Sequence, residues 1–268
     1  MNSLMNRQRF SLCLQSIRIL SPHVKHFSFK PLNGQALSFI PGQFITLHIP
    51  LDDKMLRRSY SLANSPGDTT LELAASYVPK GIASDFLFNM QSGDTVEATG
   101  PFGRLILRDE QPQRYLLVAT GTGVTPYRAM LPELAQRMKT QTSLEVVLLL
   151  GVRTPEEALY QTEFAAFAQQ HSRFKFYICY SRPVHPPTLS NGFSEENDVS
   201  EQAIPPQKGF HEHQGYVSAL LKMIPLRPAS DIAYLCGNPN MVDEVFALLT
   251  AQGFTTDKIR REKYISSK

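Results

Sequence analysis

Residues 115–126 read YLLVATGTGVTP, and this stretch decides the architecture of the second half of the chain. The first six residues form an apolar run of the length expected for a buried strand. Gly121, Thr122 and Gly123 follow directly, and Pro126 then opens a helical pattern over 126–139. A buried strand running into a Gly-x-Gly turn and a helix is the setting in which such a turn binds pyrophosphate. The stretch lacks the full six-residue dinucleotide fingerprint, and no acidic residue follows at the usual distance.

Strand and helix patterns alternate from there. Residues 144–150, 174–180 and 232–236 read as strands; 155–169 (beginning with proline), 216–223 and 240–251 read as helices. That alternation implies a parallel sheet with crossover helices. Residues 236–241, CGNPNM, also link a strand to a helix. Carboxyl-end loops of an open parallel sheet face one crevice, so CGNPNM and GTGVTP can address one ligand. Cys236 could flank a nicotinamide there, or fill space as a small buried thiol.

Upstream the rhythm differs. Residues 10–20 alternate, with Leu12, Leu14 and Ile17 as candidate inward positions, and short strands follow at 24–30, 43–49, 59–63 and 70–78. Pro-Gly, Asn-Gly and Pro-Gly-Asp turns separate them, which argues a small antiparallel barrel or sandwich. One helical pattern interrupts at 84–90, with Ser84 placed as its N-cap. The polar segment 108–114, RDEQPQR, marks the change, giving domains over 1–109 and 114–268. Residues 182–210 fit neither pattern; a loop this long is either functional or disordered.

Composition narrows the class. The 268 residues, 42% hydrophobic and 19% charged, suit two globular domains. A net charge of +3 admits an acidic partner protein but is far from the dense basic stripe of a nucleic-acid binder. Cysteines 13, 179 and 236 form no paired framework and lack metal-ligand spacing, which favours a reducing compartment. Iron–sulfur ligation needs four close-set thiolates, or two with two histidines, so no such cluster is expected. His211 and His213 have no recognisable third ligand and read as solvated loop residues. Arg7 and Arg9 precede no apolar core of signal-peptide length, and no run approaches the roughly 20 apolar residues of a membrane span. A cytoplasmic protein is expected.

Three further segments carry candidate chemistry. In Arg58-Ser59-Tyr60-Ser61, alternate residues share a face, so Arg58 and Tyr60 point one way and Ser59 and Ser61 the other. Arg58 can fork onto a phosphate, Tyr60 can lie on an aromatic ring, and Ser61 can hydrogen-bond a flavin edge at the strand's end. The same four residues could form an ordinary edge strand. Gly81-Ile82-Ala83-Ser84 opens a short helix whose free N–H groups suit a phosphate. Gly100-Pro101-Phe102-Gly103 reads as a plain turn or a further ligand contact.

In this order, RSYS, GIAS, GPFG, GTGVTP and CGNPNM resemble the ferredoxin–NADP reductase family of flavoproteins, across nearly the whole chain. The resemblance implies an antiparallel Greek-key β-barrel for FAD, followed by an α/β parallel-sheet domain for NADP(H), with the two reactive rings meeting between them. It assigns Arg58 to the FAD pyrophosphate, Tyr60 to the flavin face and Ser61 to the vicinity of flavin N5, with Ser59 in the same segment. Gly81, Ala83 and Ser84 match the phosphate-binding helix start. Gly121, Thr122, Gly123 and Thr125 match the nucleotide-binding turn, with Cys236, Gly237 and Pro239 opposite. Glu262-Lys263-Tyr264 is similar to the acidic-aromatic ending of many members. Tyr264 is expected either to cover the flavin or to pack as a final strand residue.

Arg153, Ser181 and Arg182 follow neighbouring strands, where the adenosine 2′-phosphate of NADP should lie; arginine's planar fork matches phosphate oxygens. Similar bacterial members often carry an arginine after a later glycine, but Gly215 here precedes Tyr216. The expected activity is electron transfer between NADP(H) and a separate ferredoxin or flavodoxin through FAD. Alternatives are a free-flavin reductase, an oxygenase reductase component, or a flavin-binding sensor or assembly subunit without turnover. The insertion after Arg182 could order over the adenosine phosphate, form a docking surface, or stay disordered.

Overall fold

A computed structural model describes residues 8–52, 54–67, 69–183 and 209–265. Six strands, β1 (Gln8–Ser21), β2 (Val24–Pro31), β3 (Phe44–Leu51), β4 (Lys54–Ser61), β5 (Leu71–Ser76) and β6 (Thr95–Phe102), form one antiparallel sheet. Their order is β4-β3-β6-β1-β2-β5. An antiparallel bridge between Leu62 and Leu73 joins the two outer strands, closing the sheet into a Greek-key barrel. Leu12, Leu14, Phe27, Phe29, Ile45 and Leu47 are fully enclosed inside it. Each such side chain contributes about 1.5–3 kcal/mol. Opposite β2, the pairing jumps from Leu14 to Ser16, so the inward phase moves from Leu14 to Ile17.

Two barrel strands depart from the sequence expectation. β4 begins at Lys54 rather than 59, because KMLRR carries too much charge to read as a strand. The segment GPFG is not a plain turn: Gly100, Pro101 and Phe102 end β6, and only Gly103 turns away, at φ +106°. Helix α1 (Ile82–Asn89) starts two residues before Ser84, with Gly81 at its N-cap. Ser84 is therefore not the cap. Its buried hydroxyl lies 2.9 Å from the Val78 carbonyl and accepts the Val78 N–H at 3.1 Å, tying the helix to the preceding loop.

The second sheet is parallel throughout. Its strands are β7 (Arg114–Thr120), β8 (Glu145–Val152), β9 (Phe174–Tyr180), β10 (Phe210–Gln214), β11 (Asp231–Gly237) and β12 (Ile259–Lys263). Their order is β10-β9-β8-β7-β11-β12. Helices α2 (Thr125–Thr140) and α3 (Gln161–Gln170) cover one face; α4 (Val217–Met223) and α5 (Pro239–Ala251) cover the other. The order reverses between β7 and β11, so the loops after these two strands flank the switch point where open sheets bind ligands.

The helix expected over 155–169 divides in two. Pro155–Glu157 forms a single 3₁₀ turn, and α3 starts only after Tyr160, whose φ of +56° breaks the helical path. His211 and His213 stand in edge strand β10 rather than in a loop, with His211 stacked on Tyr177 at 4.8 Å. Polar FHEHQ gives no periodic signal because one side of an edge strand meets water. The expectations for the insertion fall on 184–208, outside the described residues.

The two sheets meet through charged groups. Arg128 of α2 bonds Glu72 of β5 at 2.6 Å, the Ala63 carbonyl at 2.8 Å and Glu163 of α3 at 2.5 Å. His26 of β2 lies 3.0 Å from the Tyr160 hydroxyl. Burial, opposed by Glu72, lowers the His26 pKa to about 4.

Candidate active site between barrel and sheet

Two cavities open along this junction. The smaller, of 520 Å³, is lined by residues 57–61 of β4, Gly81, Ala83 and Ser84 at the start of α1, and Thr122, Thr125, Glu262 and Tyr264 from the parallel-sheet half. The larger, of 950 Å³, runs over the carboxyl ends of β7, β8, β9 and β11, past Gly121, Thr122, Arg153, Ser181 and Gly237. Ser76, Thr122 and Tyr264 line both. A ligand in each would share that wall.

In the smaller cavity, Arg58 and Tyr60 are half-buried and Ser61 is buried. Burial pushes the Tyr60 phenol up to about 12, so its ring stays neutral. Ser59 turns to the neighbouring strand, with its hydroxyl 3.1 Å from that of Thr46. A Cβ on Gly81 would come within 2.9 Å of Val78 and the Ser84 hydroxyl, so only glycine lets the loop fold tightly against α1. The N-terminus of α1 thereby faces the cavity, where free N–H groups favour an anion.

The larger cavity is built by backbone. Gly121 adopts φ +52° with open space where a side chain would stand. A Cβ on Gly123 would meet the Cys236 carbonyl at 2.3 Å, so the Gly-x-Gly turn lies directly on the loop after β11. A Cβ on Gly237, at φ +124°, would come within 2.6 Å of Thr120, and the Asn238 N–H donates to the Thr120 hydroxyl at 2.9 Å. The Asn238 side chain caps α5, accepting from the Asn240 N–H at 2.9 Å, with Pro239 at the first helical position.

The carboxyl end of the chain closes the junction. The Ser61 hydroxyl lies 2.5 Å from the Tyr264 hydroxyl and 3.5 Å from the Glu262 carboxylate. Burial raises Glu262 to about 7, against a smaller opposing pull from Ser61. Tyr264 is held well above its ordinary value by burial, then by Cys236 and Glu262.

Not every expected residue reaches a cavity wall. Cys236 is fully buried behind the site, and burial pushes its thiol far up, so the geometry matches its reading as a small apolar filler. Gly123 and Pro239 shape the loops without lining either space. Arg153 lines the larger cavity but is already bonded to Glu157, while Arg182 is exposed just outside it. The sequence reading missed Thr120, Ser76, Glu157 and Asn238. Thr120 and Asn238 lie inside YLLVATGTGVTP and CGNPNM and were legible; Ser76 carries no local signal.

The residues present fit two nucleotides. Thr125 Oγ1 is buried without a partner at the wall of the smaller cavity, and Gly121 and Gly237 bring backbone rather than side chains to the wall of the larger. A buried hydroxyl without a partner is costly, and a polar ligand would satisfy it.

Residues 11–106 match the family described as oxidoreductase FAD-binding domain, and 117–246 the oxidoreductase NAD-binding domain. Among relatives, the chain is 35% identical to ferredoxin–NADP reductase B of Sorangium cellulosum, over 65% of this chain and 70% of that one. It is 28% identical to the toluate 1,2-dioxygenase electron transfer component of Pseudomonas putida, over 96% of this chain and 68% of that one. The fold matches a ferredoxin NADP+ reductase from Neisseria gonorrhoeae, solved with bound FAD and NADP, at TM-score 0.77 and 24% identity over 95% of this chain and 98% of that one. Among the described residues, no helix is long and apolar enough to cross a membrane. The chain is an oxidoreductase of the ferredoxin–NADP reductase family, with an FAD-binding domain and an NAD(P)-binding domain.

Proposed function

We propose that this protein moves electrons between NADP(H) and a separate one-electron carrier protein, ferredoxin or flavodoxin, by way of FAD. The observation that carries this reading is the wall common to the two cavities, formed by Ser76, Thr122 and Tyr264. Bound FAD supplies the step from two-electron hydride chemistry to single-electron release.

The chain's own residues position and tune. Arg58 and the start of α1 at Gly81, Ala83 and Ser84 hold the FAD phosphate side, and Ser59 braces that strand against Thr46. Tyr60 lies against the flavin, and Thr125 offers its unpaired hydroxyl. Gly121, Thr122 and Gly123 present backbone to the NADP pyrophosphate, with Gly237 and Pro239 shaping the opposite loop. Arg153, Ser181 and Arg182 stand at the adenosine end. Ser61, Glu262 and Tyr264 occupy the junction, where a buried carboxyl near pH 7 can hold or release a proton. Cys236 supports that junction from behind. A cytoplasmic setting accords with three free thiols.

A second reading, the reductase component of an oxygenase, is favoured by the match to the toluate dioxygenase component over almost the whole chain. Anaerobic mixing with NADPH should bleach the bound flavin, and a sensor or assembly subunit would stay yellow. Turnover should then be fast with ferredoxin or flavodoxin and slow with free FMN. Negligible turnover with either carrier would reject the first reading.

A further inference from the structure

Glu157 stands at the rim of the larger cavity, paired with Arg153. Arg153 directly follows β8, and Glu157 closes the 3₁₀ turn Pro155–Glu157. The Glu157 carboxylate accepts from Arg153 Nε at 3.0 Å and from the Arg153 backbone N–H at 3.3 Å. A terminal guanidinium nitrogen lies 2.5 Å from its other oxygen. Both residues line the cavity. The forked edge of Arg153 that would match phosphate oxygens is thus occupied by a carboxylate.

The two groups favour different nucleotides. A carboxylate at the adenosine end accepts a hydrogen bond from a free ribose 2′-hydroxyl, whereas an arginine accommodates a 2′-phosphate. Here both stand at one place and bind each other. The pair remains wet, with the Arg153 side chain 53% exposed and that of Glu157 25%. An ion pair so exposed is weak, so a phosphate dianion can open it. Arg182 is next to it: its backbone N–H donates to the Arg153 carbonyl at 3.1 Å. Its side chain is exposed and makes no ion pair with the described residues.

We propose that Glu157 is a specificity-determining latch on Arg153. With the latch closed, Glu157 receives the ribose 2′-hydroxyl of NADH. With it open, Arg153 turns with Arg182 onto the 2′-phosphate of NADPH. The latch narrows the gap between the two nucleotides, so the enzyme uses both. This inference rests on the reading of the larger cavity as the nucleotide site.

The test is kcat/KM of the holoenzyme for NADPH and for NADH in wild type, Glu157→Gln, Arg153→Ala and the double variant. Glu157→Gln should raise the NADPH-to-NADH ratio roughly tenfold, by freeing the fork and removing a like charge from the phosphate. Arg153→Ala should lower the ratio, and adding Glu157→Gln to it should then raise the ratio clearly less than it does with Arg153 present. An unmoved ratio in Glu157→Gln would overturn the latch. So would an equal rise without Arg153, since Glu157 would then act by direct repulsion. A wild-type flavin reduced by neither nucleotide would remove the cavity reading itself, and the latch with it.

Discussion

The hydroxyl of Ser61, at the end of barrel strand β4, lies 2.5 Å from that of Tyr264, one residue beyond strand β12 of the parallel sheet. The two residues are 203 positions apart, yet this bond ties the barrel to the sheet at the wall common to both cavities. Ser61→Ala removes one partner of the half-buried Tyr264 phenol, a loss of about 1 kcal/mol. The rate at which NADPH bleaches bound flavin, followed by stopped-flow absorbance, should fall tenfold or more while flavin content is kept. An unchanged rate would separate Ser61 from the reaction.

Glu262 makes stability depend on pH. Burial raises its folded value from 4.5 to about 7, so between these limits the unfolded chain loses the proton and the folded chain keeps it. The unfolded state then binds fewer protons, and stability falls as pH rises through this window. Below 4.5 both states are protonated and the penalty vanishes. Glu262→Gln, melted in parallel with wild type from pH 5 to 8, should gain on it up to about pH 7 and hold that lead above it. Parallel melting curves would show that Glu262 is better solvated than its position implies.

Arg128 joins the two halves through Glu72 and the Ala63 carbonyl and is held within its own half by Glu163, with 19% of its side chain exposed. Arg128→Ala takes the nearest cation from both Glu72 and Glu163, leaving them only His26 and the exposed Arg18, and should cost about 2–3 kcal/mol in a denaturant titration. Arg18→Ala, which removes an exposed pair to Glu163 at 3.4 Å, should cost far less. Equal losses in the two variants would mean that Arg128 contributes no more than an ordinary surface charge.

Gly123→Ala tests the nucleotide turn. The added methyl would sit 2.3 Å from the Cys236 carbonyl, so the turn and the loop after β11 must move apart. The Michaelis constant for NADPH should rise at least about tenfold, because displacing a positioning group by even 1 Å is costly. FAD retention on gel filtration should persist, since Arg58 and α1 lie in the other half. A variant that loses FAD but binds NADPH normally would contradict this division.

Much of the second half was legible beforehand. YLLVAT and FYICY are apolar on every side because helices cover both faces of a parallel sheet, so such strands announce themselves. The loops after β7 and β11 could be placed in one crevice from order alone. The start of β4 is hidden by the charges of KMLRR, and β6 is hidden because its buried positions, Val96, Ala98 and Gly100, are small and give little apolar signal. β10 was missed because an edge strand needs no apolar face.

What the sequence determined by itself was local and periodic: which runs are strands, where glycines permit backbone to approach a phosphate, and that two nucleotide-binding halves follow one another. What only the tertiary structure decided was contact between distant residues. Ser61 meets Tyr264, Arg128 bridges to Glu72, and His26 meets Tyr160. Backbone conformation and burial patterns arise from neighbours along the chain, whereas the pairing of side chains depends on how two separately folded cores dock.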